Sequence, residues 1–520
     1  MKQESIFDLI FKKFKITKPI RLIELFGGYG SQHLALKYLK AKVEHWKLCE
    51  WAVKSIQAYY DAHSYEDTND YSKDMNKDEI VDYLFSKGIS MDYNEPMTLV
   101  QIKRQKEEWC RQVYNNIIAT KNTVDVQQTH SSDLEIVDID KYTYMMTYSF
   151  PCQDLSLAGL GKGMSRDSGT RSGMLWQVER ILDECTNLPQ ILLMENVPQV
   201  KGTENVGNFN EWQSKLESLG YKNYHENLIA TDYEIPQTRN RTFMISILGD
   251  YSYSFPEKIP LKLRLKDMLE DNVDEKYYLS DRMINFFTNN EIKQKEAGNG
   301  FKWNVSDGDC IAKTVTTING SRMDDNFVKV NKALQETLSK HKKIKNGSFV
   351  DSYNKNIRDD DMAGTITTRV SDSNNTFIAI KEATKQGYAI AHDGDSINLE
   401  QPNSNTRRGR VGKGVAQTLM TNPQQAIVYG IATNESKEWQ KEPLEEMSRT
   451  LLANKSNSGV GVIDQLRIRK LTPRECFRLM GVRDEDYERI AKNQSDASLY
   501  HLAGDSIVVN VLMAIFKELL

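Results

Sequence analysis

The residue best placed for covalent chemistry is Cys152, in the run Ser149-Phe150-Pro151-Cys152-Gln153-Asp154. The run follows a short β-prone stretch at 142–149, and ligands of open α/β sheets bind at the carboxyl ends of strands. A thiolate there suits nucleophilic catalysis. The other reading is a small buried hydrophobe, the usual fate of a lone cysteine. Its polar neighbours favour the nucleophile, and spacing alone leaves the choice open. Glu195 ends a second apolar run in Met194-Glu195-Asn196-Val197-Pro198. A carboxylate there is costly to bury unless paired or protonated, and a raised pKa lets it donate or share a proton. The alternative is a helix-start carboxylate before Pro198. In Gln237-Thr238-Arg239-Asn240-Arg241, the two arginines at i,i+2 project to one side of an extended chain. They suit a phosphate, a carboxylate or a base carbonyl, or else form a solvated surface pair.

A fourth group is Phe26-Gly27-Gly28-Tyr29-Gly30-Ser31, between a strand-like and a helix-like segment. Its glycines permit a tight turn and close approach of a ligand. An acidic residue about 20 positions on, at the end of the next strand, can take the two hydroxyls of a ribose. Glu50 stands there, and Trp51 can stack on an adenine. Read blandly, the same residues are an ordinary turn and a surface glutamate. No Lys-Ser/Thr pair follows the loop, which disfavours a P-loop NTPase.

The elements that must position these groups read as alternating strands and helices. Residues 20–26 are an apolar strand, and Leu34, Ala35, Tyr38 and Leu39 mark a helix. Residues 43–49 form a second strand, so the chain opens as βαβ with a parallel sheet. Residues 61–128 are polar and read as an insertion with a charged helix at 101–120. Strands resume at 142–149, 190–194 and 242–248. Beyond about 250 the text changes. A degenerate small-x-Thr-aliphatic repeat at 312–316, 363–367, 416–420 and 448–452 predicts a β-rich module. Helices are expected at 473–480 and 508–520.

With 520 residues, the chain is long enough for about three units of roughly 150 residues. Hydrophobic residues at 39% against 27% charged predict a sizeable core. The longest apolar stretch, 507–516, is interrupted by Asn510 and falls short of the ~20 residues of a membrane span. The first residues show no signal-peptide apolar core. Six cysteines, at 49, 110, 152, 185, 310 and 476, contain no Cys-x-x-Cys pair. A disulfide framework and a structural zinc are therefore not expected, and a reduced cytosolic setting is. The net charge of −4 neither implies nor excludes nucleic acid, so a DNA-binding chain of this balance must concentrate positive charge locally.

Taken in order, the glycine turn, Glu50-Trp51, Pro151-Cys152-Gln153, Glu195-Asn196-Val197 and Gln-x-Arg-x-Arg resemble the C5-cytosine DNA methyltransferases. Arg469-Lys-Leu-Thr-Pro-Arg-Glu475 with Arg478-Leu-Met-Gly481, and Gly504-Asp-Ser-Ile-Val-Val-Asn510, resemble the family's last two motifs. The resemblance implies an α/β, Rossmann-like domain that binds S-adenosylmethionine, with no metal. It places Phe26, Gly28 and Gly30 at the cofactor, Glu50 on the ribose and Trp51 over the adenine. Asp133, followed by Leu134, would read the adenine amino group. Pro151, Met174, Asp505 and Ile507 would complete the pocket. The family usually has Asn where this chain has Asp505.

Cys152 would attack cytosine C6, Glu195 would act at N3, Arg241 would hold the base carbonyl and Arg239 would support the site. The implied organisation is a catalytic domain at 1–261, a target-recognition domain at 262–464 and a returning segment at 465–520. The partner would be double-stranded DNA, contacted by Gln237 and by the basic run Arg407, Arg408, Arg410 and Lys413. A cytoplasmic monomer of bacterial or phage origin is expected, with a partner restriction endonuclease left open. An RNA substrate, a non-catalytic DNA binder and a nicotinamide-dependent oxidoreductase are the competing readings. The long variable region counts against the first, the retained Cys152, Glu195 and Arg241 against the second. The third leaves Pro-Cys-Gln and Glu-Asn-Val unexplained.

Overall fold

The computed structural model describes residues 12–151, 155, 164–166, 171–299, 302–306, 308–330, 348–351, 356–358, 376–381, 388–391, 396–398, 411–412, 425–427 and 467–520. Cys152, Arg407, Arg408, Arg410 and Lys413 lie outside the described residues, as do three of the four Thr-bearing repeats. The chain divides into two units. One comprises Met1–Leu269, Gln294–Asn326 and Leu471–Leu520, the other Glu270–Lys293 and Phe327–Lys470. Residues 294–326 fall within the stretch 262–464, read from sequence as one domain, yet they cluster with the first unit. Backbone pairing holds them there: Thr238 N–H donates to Ala312 O (2.9 Å) and Ala312 N–H to Pro236 O (2.8 Å).

The first unit is built on six strands: β1 (Ile20–Leu25), β2 (Val43–Cys49), β3 (Thr143–Tyr148), β4 (Ile191–Asn196), β5 (Tyr221–Ile229) and β6 (Asn240–Leu248). Their order is β2-β1-β3-β4-β6-β5. The first four run parallel, and β6 runs antiparallel to both β4 and β5. Every residue of β1, β3 and β4 is buried, because helices cover both faces of a parallel sheet. The fold is α/β and Rossmann-like. The strand order reverses between β1 and β3, which opens a crevice at their carboxyl ends.

The helices α1 (Ser31–Tyr38) and α2 (Val53–His63) follow β1 and β2. The insertion supplies α3 (Lys77–Lys87), α4 (Leu99–Lys103) and α5 (Glu107–Ala119). The single helix expected at 101–120 is two helices, because Lys106 turns to an extended conformation (ψ 150°) before α5. These helices share their own core of Ile80, Leu84, Ile102, Cys110, Val113 and Ile117, closed by Val53 and Ile56 of α2. Next come α6 (Ser131–Leu134), α7 (Leu175–Glu184) and α8 (Val206–Ser218). Val178, Ile181, Leu182 and Trp212 pack with Met146, Tyr148, Leu192 and Met194 of the sheet.

The chain's last segment returns to this unit as α9 (Pro473–Leu479), α10 (Asp484–Ala491), α11 (Asp496–Asp505) and α12 (Val509–Leu519). Helix α12 packs against α1, and α10 against α2. Buried Asp486 fixes the docking by accepting from Lys37 Nζ (2.9 Å), Tyr38 Oη (2.6 Å) and Arg489 Nη1 (2.7 Å). Asp496–Leu519 is long and apolar enough to span a membrane by composition, with mean hydropathy 1.6. It is instead parted at Ser506, whose backbone is extended (φ −86°, ψ 173°), and its most apolar stretch is largely buried in the core.

The second unit contains antiparallel strands. Phe327–Val330 pairs with Arg467–Lys470. Ser348–Asp351 pairs with both Asn356–Arg358 and Thr376–Lys381. Ser396–Asn398 pairs with Val411–Gly412 and Gln425–Ile427.

Candidate active site

A cavity of about 460 Å³ lies at the carboxyl ends of β1 to β4, wholly within the first unit. The turn after β1 forms its floor. Phe26 N–H donates to Cys49 O and Gly30 N–H to Gly27 O, each at 2.8 Å. Gly28 has φ +55° and open space where a side chain would stand, so a ligand can reach the backbone there. Gly30 (φ +80°) serves packing instead. A Cβ at that position would meet His63 Nε2 at 2.3 Å, and Gly30 is not part of the cavity wall.

Glu50 stands at the end of β2, with Oε2 accepting from Gly28 N–H (3.0 Å) and Oε1 from Ala52 N–H (2.9 Å). Burial pushes its carboxyl up to about 7, and the two backbone donors hold it back from rising further. Trp51 lines the cavity beside it. Asn122 joins this wall to the chain after α5. Its Oδ1 accepts from the N–H groups of Glu50 (3.0 Å) and Val124 (2.9 Å), and its Nδ2 donates to Glu50 O (2.9 Å).

The acidic residue this brings to the cavity is Asp125, not Asp133. Asp133 is spent capping α6, where its Oδ2 accepts from His130 N–H at 2.8 Å. Leu134 is buried in the core, away from the cavity. Pattern reading missed Asp125 because the Val124-Asp125-Val126 run sits inside the stretch taken for insertion. The one available signal was an acidic residue flanked by β-branched apolar residues.

The opposite wall carries the remaining charged groups. Glu195, 4% exposed at the end of β4, accepts from Ser149 Oγ (2.5 Å) and pairs with Arg241 Nε (3.1 Å). The antiparallel register places Glu195 opposite Phe243, which brings Arg241, two residues earlier on β6, beside the strand end. Asn196 ties the loop after β3 to β4, its Nδ2 donating to Phe150 O (3.0 Å). Pro151, the residue before Cys152, lines the same cavity, and Ser172 Oγ donates to its carbonyl (2.8 Å). Met174 also lines it. Ser149 and Asn196 were not singled out from sequence, though both sit in runs that were.

Arg239 lines the cavity, but its guanidinium serves the C-terminal loop. Nη2 donates to Gly504 O (3.0 Å) and Ser506 O (2.7 Å), and Nη1 to Val315 O (3.3 Å). That loop brings Asp505 and Ile507 to the cavity. Desolvation by the walls raises the Asp505 carboxyl above the usual range, opposed by His501, Arg239 and Arg241. Gln237, expected at DNA, is fully buried. Its Nε2 donates to Leu479 O (2.7 Å) and its Oε1 accepts from Val315 N–H (2.9 Å), so it bonds the interior and presents nothing to a duplex.

Behind the glycine turn, a buried polar cluster surrounds Glu24. Tyr59 Oη bonds Glu24 and lies 2.9 Å from His45 Nδ1, while His45 Nε2 reaches Thr120 O (2.7 Å). Burial raises Glu24 to about 7 and lowers His45 to about 4 and His63 to about 3. Candidate ligand atoms of Glu24, His33 and His45 lie within 4.8 Å of one another.

An open α/β sheet with a cavity at its reversal point, lined by a buried carboxylate on one wall and an acid–arginine pair on the other, is the layout of a Rossmann-like ligand-binding domain. Comparison with known proteins narrows this. The chain matches the C-5 cytosine-specific DNA methylase family over residues 86–520. It is 39% identical over 271 residues to the orphan methyltransferase M.SssI of Spiroplasma monobiae, covering 51% of this chain and 68% of the relative. It is 38% identical over 271 residues to the type II methyltransferase M2.ScrFI of Lactococcus lactis subsp. cremoris, covering 51% and 71%. It is 26% identical over 432 residues to the orphan methyltransferase M.SPRI of Bacillus phage SPR, covering 76% and 87%. The chain belongs to the C-5 cytosine-specific DNA methylase family and is a DNA (cytosine-5-)-methyltransferase.

Proposed function

We propose that this enzyme methylates carbon 5 of a cytosine swung out of double-stranded DNA, through a transient bond between Cys152 and C6. The observation that carries the reading is the Glu195–Arg241 pair at 3.1 Å on the cavity wall that also holds Pro151, across from Glu50 and Trp51. On this reading, Glu195 as the base-binding acid and Glu50 as the ribose-binding acid face one cavity.

The residues present fit S-adenosylmethionine. Gly28 leaves room for close approach, Glu50 keeps lone pairs for two ribose hydroxyls, and Trp51 supplies a face for adenine. Asp125 is an acceptor for the adenine amino group, and the carboxylate of Asp505 suits a positively charged ligand. When bound, the cofactor supplies an electrophilic methyl on a sulfonium.

Cytosine C5 is a weak nucleophile, so the Cys152 thiolate adds to C6 and pushes electrons towards C5. Glu195 donates a hydrogen bond or proton at N3, and Arg241 holds the carbonyl oxygen as charge builds on the ring. C5 would take the methyl group, leaving the donor sulfur as a neutral thioether, and would then lose its proton to a water molecule as the Cys152–C6 bond breaks and the thiolate departs. Ser149 and Asn196 act by position, fixing Glu195 and the loop leading to Cys152. Arg239 holds the closing loop in place.

The second unit is proposed as the reader of DNA sequence, with Arg407, Arg408, Arg410 and Lys413 as phosphate or guanine contacts. Action as a cytoplasmic monomer in a bacterium, or from a phage genome, completes the reading, with or without a companion endonuclease. Expression in a methylation-free host, followed by mapping of modified cytosines, tests it. C5-methylcytosine in one sequence context is expected. Its absence, or methylation of RNA alone, contradicts the reading.

A further inference from the structure

The insertion between α2 and β3 has a core of its own, and the sheet does not need it to close. One of its loops nevertheless returns to the cavity. Ser90 N–H donates to Trp51 O (2.9 Å), and Val53 N–H donates to Ser90 O (2.8 Å). The loop is thereby anchored to the segment that carries Glu50 and Trp51. It closes on itself through Met97 N–H to Ile89 O (2.8 Å) and Ser90 Oγ to Glu95 O (2.8 Å). Asp92 Oδ1 takes the N–H of Asn94 (2.9 Å), which tightens the apex.

At that apex stands Tyr93, with φ +64°. An aromatic residue rarely occupies this region, and such strain persists where the surroundings over-determine it. The surroundings here are specific. The Tyr93 ring stacks on the imidazole of His501, with centroids 3.9 Å apart and planes 13° from parallel. His501 lies on α11, one turn before Asp505, and pairs with it at 3.1 Å. Tyr93 and His501 both line the cavity. The stack therefore joins the wall after β2 to the C-terminal wall clamped by Arg239.

We propose that Tyr93 and His501 form a latch that completes the cofactor site and sets how fast the adenosyl ligand leaves, and that holding this latch is a function of the insertion. The proposal rests on the reading of the cavity as the S-adenosylmethionine site. A ligand seated between Glu50 and Asp505 leaves by parting the two rings. Both residues are positioning residues, since they act on the ligand's residence and not on the reacting atoms.

The test uses the full chain and S-adenosylhomocysteine as probe. Its dissociation is followed by stopped-flow tryptophan fluorescence in the unaltered protein, Tyr93→Ala, Tyr93→Phe, His501→Ala and the Ala double variant. Losing a stacked ring pair accelerates release about three- to tenfold. Tyr93→Ala and His501→Ala should each show this, while Tyr93→Phe, which keeps the stack, stays within about twofold. The double variant should be no faster than the worse single one, because both remove one interaction. The KM for S-adenosylmethionine should rise while that for DNA holds. If Tyr93→Ala does not fold, His501→Ala, a half-buried position within a regular helix that tolerates alanine, carries the comparison. Unchanged release in His501→Ala, or effects that multiply in the double variant, overturns the latch alone. Failure of the unaltered protein to bind the probe overturns the latch together with the cavity reading beneath it.

Discussion

With Glu50 as the proposed ribose partner, cofactor affinity should depend on pH in the direction set by its raised carboxyl. Burial raises its carboxyl to about 7 from an ordinary 4.5, so near pH 6 the side chain is mostly protonated and above pH 8 mostly ionised. The ribose hydroxyls donate, and a carboxylate accepts more strongly than a neutral acid. A hydrogen bond to a charged group is worth about 1.5–3 kcal/mol, against about 0.5–1.5 kcal/mol for a neutral pair. One such difference, about 1 to 1.5 kcal/mol, is close to tenfold in affinity. The Kd for S-adenosylhomocysteine should therefore fall roughly five- to tenfold between pH 6 and pH 8.5, with its midpoint near the Glu50 pKa. Isothermal titration calorimetry across that range measures it. Glu50→Gln should bind weakly at every pH and lose most of the slope. A flat profile in the unaltered protein, or a slope that survives in Glu50→Gln, would refute the assignment of the ribose to this carboxylate.

Three further outcomes follow from the geometry. Asp125→Ala should weaken S-adenosylhomocysteine binding about 10- to 100-fold, while Asp133→Ala should leave Kd within about twofold and cost about 1 kcal/mol of stability through its lost helix cap; calorimetry and urea unfolding separate the two. Gln237→Ala leaves the Leu479 carbonyl and the Val315 N–H without their partner, so it should destabilise by about 1–3 kcal/mol in urea yet leave the methylated sequence unchanged in sequencing of modified DNA. Glu24 concerns stability alone. Its folded pKa is raised from 4.5 to about 7, so its stabilising contribution is full below 4.5 and is lost as pH rises to 7. Glu24→Gln abolishes that titration, so its stability relative to the unaltered protein should improve by up to about 3 kcal/mol from pH 4.5 to pH 8. A gap independent of pH in urea titrations would show that Glu24 is not held protonated.

Chemistry was legible where local pattern and burial agree. The strand Ile20–Leu25 and its glycine turn were legible from a mostly aliphatic run followed by glycines, and Glu50 from its place about 20 residues on, whereas the buried Arg21 and Glu24 inside that strand carried no signal of their own. Glu195 was legible as a polar residue ending an apolar run, and Arg241 through its i,i+2 spacing from Arg239. Their pairing was not, since it depends on an antiparallel register between β4 and β6. The strand Tyr221–Ile229 escaped notice because it is an edge, with Glu226 and Asn227 exposed and no apolar run to mark it. Asp125 was hidden by its neighbourhood and Asp133 promoted by its own, and only the path of the chain after α5 separates them. Gln237 misled in another way. Its place in the Gln-x-Arg-x-Arg motif led to a DNA contact being expected, but two backbone groups of the interior consume its amide.

The proposed mechanism requires a bond from Cys152 to the target base. Duplex DNA carrying 5-fluorocytosine at the methylated position blocks loss of the C5 substituent, so the enzyme cannot release itself. Incubated with that duplex and S-adenosylmethionine, the unaltered protein should yield a denaturation-resistant protein–DNA adduct mapped by mass spectrometry to Cys152, and Cys152→Ala should yield none. An adduct mapped to another residue, or its complete absence while the protein methylates ordinary duplex DNA, would contradict the mechanism.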